Sequence, residues 1–197
     1  MKTAIIILAA GNSSRMGQLK QLMPWKDTTL LGNAIRMARN SNADSIYVVL
    51  GAQADKIKET IKEDGINTIT NKQWAQGMGA TISYGVDQIL KSGCHPEAML
   101  IMVADQPNMD FDFLNSLIDK YAKGKSKIVA TQYADKLGVP AIFDKQYFPR
   151  LLQLQGEEGA SQIIKNNRND CFGLNAGKKV IDLDTLNDYH TYKALDQ

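Results

Sequence analysis

Two cysteines, two histidines and the absence of any long apolar run remove several functions from this 197-residue chain at the outset. Cys94 and Cys171 are far apart and lack metal-ligand spacing, and so sparse a cysteine content suggests a reducing compartment. His95 and His190 have no partner at ligand spacing, so a zinc site has no basis. No stretch approaches the ~18 apolar residues that span a bilayer. The apolar start after Lys2 is short and is followed by no cleavage-site pattern, so a cytoplasmic location is expected. A formal charge of +2 makes no case for nucleic acid or an anionic membrane. The Lys-rich pieces (Lys56, Lys58 and Lys62; Lys123, Lys125 and Lys127) are interrupted and read as solvated faces. Two familiar phosphate loops are missing as well, since neither GxGxxG nor GxxxxGK[ST] occurs.

What is present is a globular composition, 44% hydrophobic and 22% charged. No linker, repeat or composition break divides it, so one domain over residues 1–197 is expected. Apolar runs alternate with helical patterns. Strands are expected at Thr3–Ala9, Ser45–Leu50, Asn67–Thr70, Ala98–Val103 and Lys127–Thr131. Helices are expected around Leu31–Ala38, over Ala54–Lys62, around Ile82–Leu90 and around Phe113–Tyr121. Strands that are apolar throughout belong to a parallel sheet covered on both faces, the α/β class. Pro140–Phe143 reads as a strand running against the others. Helices at Tyr147–Leu154 and Glu157–Lys165 follow, then a strand at Val180–Leu183 and a helix at Thr185–Leu195.

The chemistry concentrates after the first strand. Ala10 to Lys20 holds two glycines, small polar residues, Arg15 and Lys20. Gly11 and Gly17 let the backbone turn and approach a ligand closely. Successive N–H groups beside two cations then make a concave site for an anion such as a triphosphate. With strand order 3-2-1 and the fourth strand beside the first, Ala104-Asp105-Gln106-Pro107 ends opposite this loop, where doubly wound sheets bind ligands. One or two carboxylates together with substrate phosphates are what Mg²⁺ requires, and Asp105 has that chemistry. Asp182 or Asp184 offers a second carboxylate, although Asp184 before Thr185 reads equally well as a helix cap. Gly77 and Gly79, flanking Met78 and following Trp74, can bring backbone near a ribose and base. Glu157 and Glu158 read first as a helix start favoured by its dipole.

These residues resemble a known family along nearly the whole chain. LAAGNSSRMGQLKQL is similar to the LAAGxSxRMGxxKxL signature of the nucleotidyltransferases that act on the molybdenum cofactor. WAQGMGATI resembles that family's WxxGMGxSL, VADQP its GDQP, GVPAIF its GHPVLF, GEEGA its GDEGA, and DLDTLND its DxDTPED. The resemblance implies a three-layer α/β/α Rossmann-like fold with a mostly parallel mixed sheet, and a Mg²⁺-dependent transfer of CMP from CTP to the terminal phosphate of molybdopterin. It implies catalytic roles for Arg15, Lys20 and Asp105. Leu8, Ala9, Ala10, Gly11, Ser13, Ser14, Arg15, Lys20, Gly77, Met78, Gly79 and Asp105 are the implied nucleotide contacts, and Asp105 and Asp184 the implied metal ligands. A molybdoenzyme or its chaperone is the implied protein partner. The AAG form, with Ala10, implies a pyrimidine nucleotide. Val139 in place of His, Leu186 in place of Pro and Ala104 in place of Gly depart from the pattern. A sugar- or polyol-phosphate acceptor therefore stays open, as does a nucleotide-binding regulatory protein without turnover.

Overall fold

A computed structural model describes residues 1–13, 16–134, 136–179 and 181–195. Its first strand, β1 (Thr3–Ala9), is buried along its length and leads into the glycine loop. A short hairpin of β2 (Pro24–Trp25) and β3 (Thr28–Thr29) precedes α1 (Leu30–Arg39). The chain continues through β4 (Ser45–Leu50), α2 (Ala54–Lys58), β5 (Ile66–Thr70), α3 (Met78–Lys91), β6 (Ala98–Val103) and α4 (Phe111–Lys123). Then come β7 (Ile128–Tyr133), β8 (Lys136–Asp144), α5 (Phe148–Leu151), α6 (Ala160–Asn166), β9 (Cys171–Asn175) and α7 (Leu186–Leu195).

Seven strands form one sheet in the order β5-β4-β1-β6-β8-β7-β9. β1 pairs in parallel with β4 and β6, placing Leu8 beside both Val49 and Val103. β8 runs antiparallel to both of its neighbours, as the PAIF segment suggests. Period-two alternation splits the core in two. Ile5, Ile7, Val48, Leu50, Leu100 and Met102 face one side, packed on α1 and α4 residues such as Ile35 and Leu117. Ala4, Ile6, Leu8, Val49, Met99 and Ile101 face the other, against Ile82, Val86 and Ile89 of α3 and Ile163 of α6. A mostly parallel sheet thus lies between two helical layers, the three-layer Rossmann-like arrangement.

Several elements differ from the sequence reading. α2 ends at Lys58 because the next N–H groups bond three residues back, Thr60 N to Ile57 O and Ile61 N to Lys58 O, and Thr60 Oγ1 also donates to Ile57 O at 2.7 Å. α5 is one short helix, begun by Pro149 in its first turn. α6 starts at Ala160, because Glu157 and Glu158 belong to a turn packed under α3. No strand forms over residues 181–183, while Val180 lies outside the described residues. Leu183 instead donates its N–H to Asp105 O at 3.1 Å and is fully buried. The seventh strand is β9, parallel to β7 at the sheet edge.

Candidate active site

The C-terminal ends of β1 and β6 lie side by side, and both chains turn away there, opening a crevice. On the β1 side the loop is shaped by polar bonds. Ser13 takes a left-handed backbone (φ 54°), as does Gly17 (φ 64°). Ser13 Oγ accepts from Lys20 N at 3.1 Å, and Met16 N bonds Ser13 O at 2.9 Å, which closes the loop on itself. Met16, 2% exposed, anchors the loop in a small apolar cluster with Met23, Trp25, Leu30, Leu183 and Tyr189. Tyr189 of α7 donates its hydroxyl to Pro24 O, so the C-terminal helix holds this outer flank.

On the β6 side, Asp105 faces the loop. Lys20 Nζ lies 2.7 Å from Asp105 Oδ2 and 3.5 Å from Asp184 Oδ1. Lys20, Asp105 and Asp184, all named from the sequence as site candidates, thus lie together. Asp105 Oδ1 is buried and has no hydrogen-bond partner among the described residues. Ser14 and Arg15, expected in the same site, lie outside the described residues.

A buried amide organises the acidic side. Gln106, 5% exposed, donates from Nε2 to Tyr133 Oη and to Asp182 Oδ1, both at 2.8 Å. Tyr133 in turn donates its hydroxyl to Val139 O. Asn33 of α1 donates to Pro107 O at 3.0 Å, fixing the chain just past Asp105. Burial first, then the neighbouring Asp105 and Asp184 carboxylates, raise the Asp182 pKa, against the Gln106 bond and the Lys20 charge. Burial also pushes Tyr133 up to about 12, with Asp182 and Asp105 adding to it. Asp184 is therefore the more exposed acid facing Lys20, while Asp182 is tied to Gln106.

Beside these charges a cleft of about 470 Å³ is lined by Leu8, Ala10, Gly11, Asn12, Trp74, Gly77, Met78, Thr81, Val103 and Glu157. A Cβ on Gly11 would meet open space, so the glycine leaves the cleft wall free there. Ala10 sits against Gly51, where an added Cβ would come 2.8 Å from Ala10 Cβ and 2.5 Å from Trp74 Cβ. The backbone of Gly77 has φ 105°, and a Cβ there would strike Gly156 O at 2.3 Å. Gly79 is buried and donates its N–H to Gly156 O at 2.8 Å. The close approach at Gly77 and Gly79 is thus to the Gln155–Glu158 turn, which brings Glu157 to the rim; Gly77 and Met78 line the cleft, and Gly79 supports it from behind.

Two carboxylates bridged by an ammonium, one with a buried oxygen lacking a partner, suit a hard divalent cation. Among the described residues no group of three or more His, Cys, Asp or Glu is placed to hold a metal ion. Gln106 lies inside the VADQP segment, but its bonding role escapes a sequence reading because partners so far along the chain leave no periodic or spacing signature. Among the described residues no helix is long and apolar enough to cross a membrane.

Comparison with known proteins gives the family and the fold. The MobA-like NTP transferase domain matches residues 5–171. Purine catabolism protein PucB of Bacillus subtilis is 27% identical over 93% of this chain and 92% of its own length. Molybdenum cofactor cytidylyltransferase of Escherichia coli is 23% identical over 95% and 94%. Rv0371c of Mycobacterium tuberculosis superposes with a TM-score of 0.86 at 28% identity, covering 98% of both chains. Its complex with manganese superposes with a TM-score of 0.81 at 26% identity, covering 98% of this chain and 99% of the other. Because that domain match spans most of the sequence, the chain belongs to the MobA-like NTP transferase family and is a nucleotidyltransferase.

Proposed function

We propose that the chain transfers CMP from CTP to the terminal phosphate of molybdopterin, with Mg²⁺ or Mn²⁺. The observation that carries this is the 2.7 Å approach of Lys20 to Asp105 across the crevice between β1 and β6. Such chemistry asks for positioning and charge neutralisation more than for covalent catalysis. Lys20, and Arg15 with it, hold the triphosphate by charge. The open side of Gly11 admits phosphate close to the backbone, and Ser13 and Ser14, which follow in the sequence, are further contacts to it. Leu8 and Ala10, at and just past the end of β1, bound the nucleotide, whereas Ala9 between them packs into the core on the α1 and α4 side; Gly77 and Met78 bound it from the start of α3, with Gly79 behind them.

Asp105 and Asp184 hold the divalent ion, which when bound neutralises phosphate charge. The manganese complex of the Rv0371c relative supports a divalent ion as the cofactor. An acceptor phosphate oxygen attacks the α-phosphorus of CTP, the bond to the β-phosphate oxygen breaks, and pyrophosphate leaves. Lys20 stands beside Asp105 where that leaving charge gathers. Ala10 supports a pyrimidine: its methyl sits against Gly51 at the cleft wall and narrows the space a purine needs. The full-length likeness to the Escherichia coli cytidylyltransferase supports molybdopterin as acceptor, with the product passing to a molybdoenzyme or its chaperone.

The test is pyrophosphate release from CTP, GTP and UTP with Mg²⁺, with and without molybdopterin. CTP turnover that depends on molybdopterin is expected. Turnover that instead follows a sugar or polyol phosphate overturns the acceptor assignment, and none with any acceptor favours a nucleotide-binding protein without turnover.

A further inference from the structure

The glycine loop owes its shape to one side chain outside every recognised position of the signature. Gln21 is 5% exposed, yet it lies next to Lys20 at the loop's closing end. Its amide nitrogen donates both hydrogens, one to Ala9 O at 3.0 Å and one to Gly11 O at 2.7 Å. Its amide oxygen accepts from Ser13 Oγ at 3.4 Å, and that hydroxyl accepts from Lys20 N at 3.1 Å. One amide thus contacts the residues on either side of Ala10 and, through Ser13, the backbone of Lys20.

We propose that Gln21 is a positioning residue that sets the loop for phosphate binding, a role resting on the reading that this loop receives the nucleotide. Peptide planarity gives the mechanism. With the carbonyls of Ala9 and Gly11 turned onto Gln21, the N–H groups of Ala10 and Asn12 in the same peptide planes point the opposite way. Ala10, Gly11 and Asn12 line the cleft and Gln21 does not. The amide therefore draws acceptors, which would repel phosphate, to the back of the loop and turns donors away from it. It also holds Ser13 at a left-handed φ of 54° that a residue with a Cβ seldom keeps unaided. No other residue type of this length supplies two donors and one acceptor in a plane without charge.

Gln21→Met keeps the length and loses every bond. Gln21→Glu keeps the shape and sets a carboxylate against two carbonyls. Both are compared with wild type by calorimetric binding of CTP, by steady-state kinetics, and by hydrogen exchange read peptide by peptide. The expected result is CTP affinity weaker by tenfold or more, a KM raised more than kcat falls, and faster exchange over residues 9–13. Exchange in β4 stays unchanged, and Gln21→Glu is the worse of the two. Wild-type affinity in either variant overturns the proposal, and so does faster exchange spread over the whole sheet. Should one variant fail to fold, the other carries the same readouts. Should wild type bind no nucleotide, the reading of the site fails, while unaltered exchange over residues 9–13 in the variants would separately refute the brace.

Discussion

Replacing Lys20 by methionine keeps the length of the side chain and removes the ammonium that sits between two acids. The Nζ lies 2.7 Å from Asp105 and 3.5 Å from Asp184, with the three side chains 13%, 28% and 49% exposed. Water reaches the acids, so the lost pair costs little stability, about 1 kcal/mol or less. In a chain of this size that lowers the melting temperature by roughly 2–4 °C. The loss at the transition state is larger, because charge accumulates there on phosphate oxygens in a partly enclosed cleft. A preorganised charge of this kind contributes ~3 kcal/mol, which is about 100-fold in kcat. The assay is pyrophosphate release at saturating nucleotide, paired with thermal denaturation of the same preparation. A kcat within a fewfold of wild type refutes the catalytic role of Lys20. A melting temperature that collapses in step with activity refutes the division between chemistry and stability.

Four further outcomes follow from the same geometry. Asp105→Asn should move the divalent-metal titration of activity to tenfold or higher concentration, and an unchanged titration removes Asp105 from the ligand set. Ala10→Gly should raise use of GTP relative to CTP; an unaltered ratio discards the base-pocket argument. Tyr133→Phe leaves Val139 O without its donor and should cost about 1–3 kcal/mol, checked by urea denaturation, whereas an equal midpoint shows the hydroxyl is idle. Asp110 caps α4 by accepting from Phe113 N at 2.9 Å, and burial opposes its charge while Lys179 and that N–H outweigh it and lower its pKa. A group with a depressed folded pKa stabilises above its unfolded value and loses that contribution as pH falls through the folded one. Asp110→Ala should therefore cost about 1 kcal/mol at neutral pH, with the gap closing below about pH 4. A gap that holds constant to pH 2 contradicts this.

The core strands were legible because burial on both faces leaves an unmistakable apolar run, as in Ala98–Val103, all but its last residue buried. β9 was not, because Cys171–Asn175 holds a glycine and an asparagine and sits half-exposed at the sheet edge. The Ile181–Leu183 segment has strand-like residues but buries Leu183 against Trp25 and Tyr189, so packing replaced pairing. Lys20 and Asp105 were legible from chemistry type and topology together. Gln21 and Gln106 stand inside quoted segments, yet their roles were not legible, because those depend on which carbonyls and hydroxyls the fold brings within reach. Gly79 shows a third case: the glycine was visible, while the Gln155–Glu158 turn that requires it lies far along the chain.

The central claim is that the glycine loop and Asp105 grip one metal-bridged nucleotide between them. A crystal soaked with CTP and Mn²⁺, read by manganese anomalous scattering, tests it most directly. The account predicts an anomalous peak between Asp105 and Asp184, a triphosphate along residues 10–20, and the Lys20 ammonium on a phosphate oxygen. Manganese bound elsewhere, or a triphosphate lying outside the loop, would contradict it.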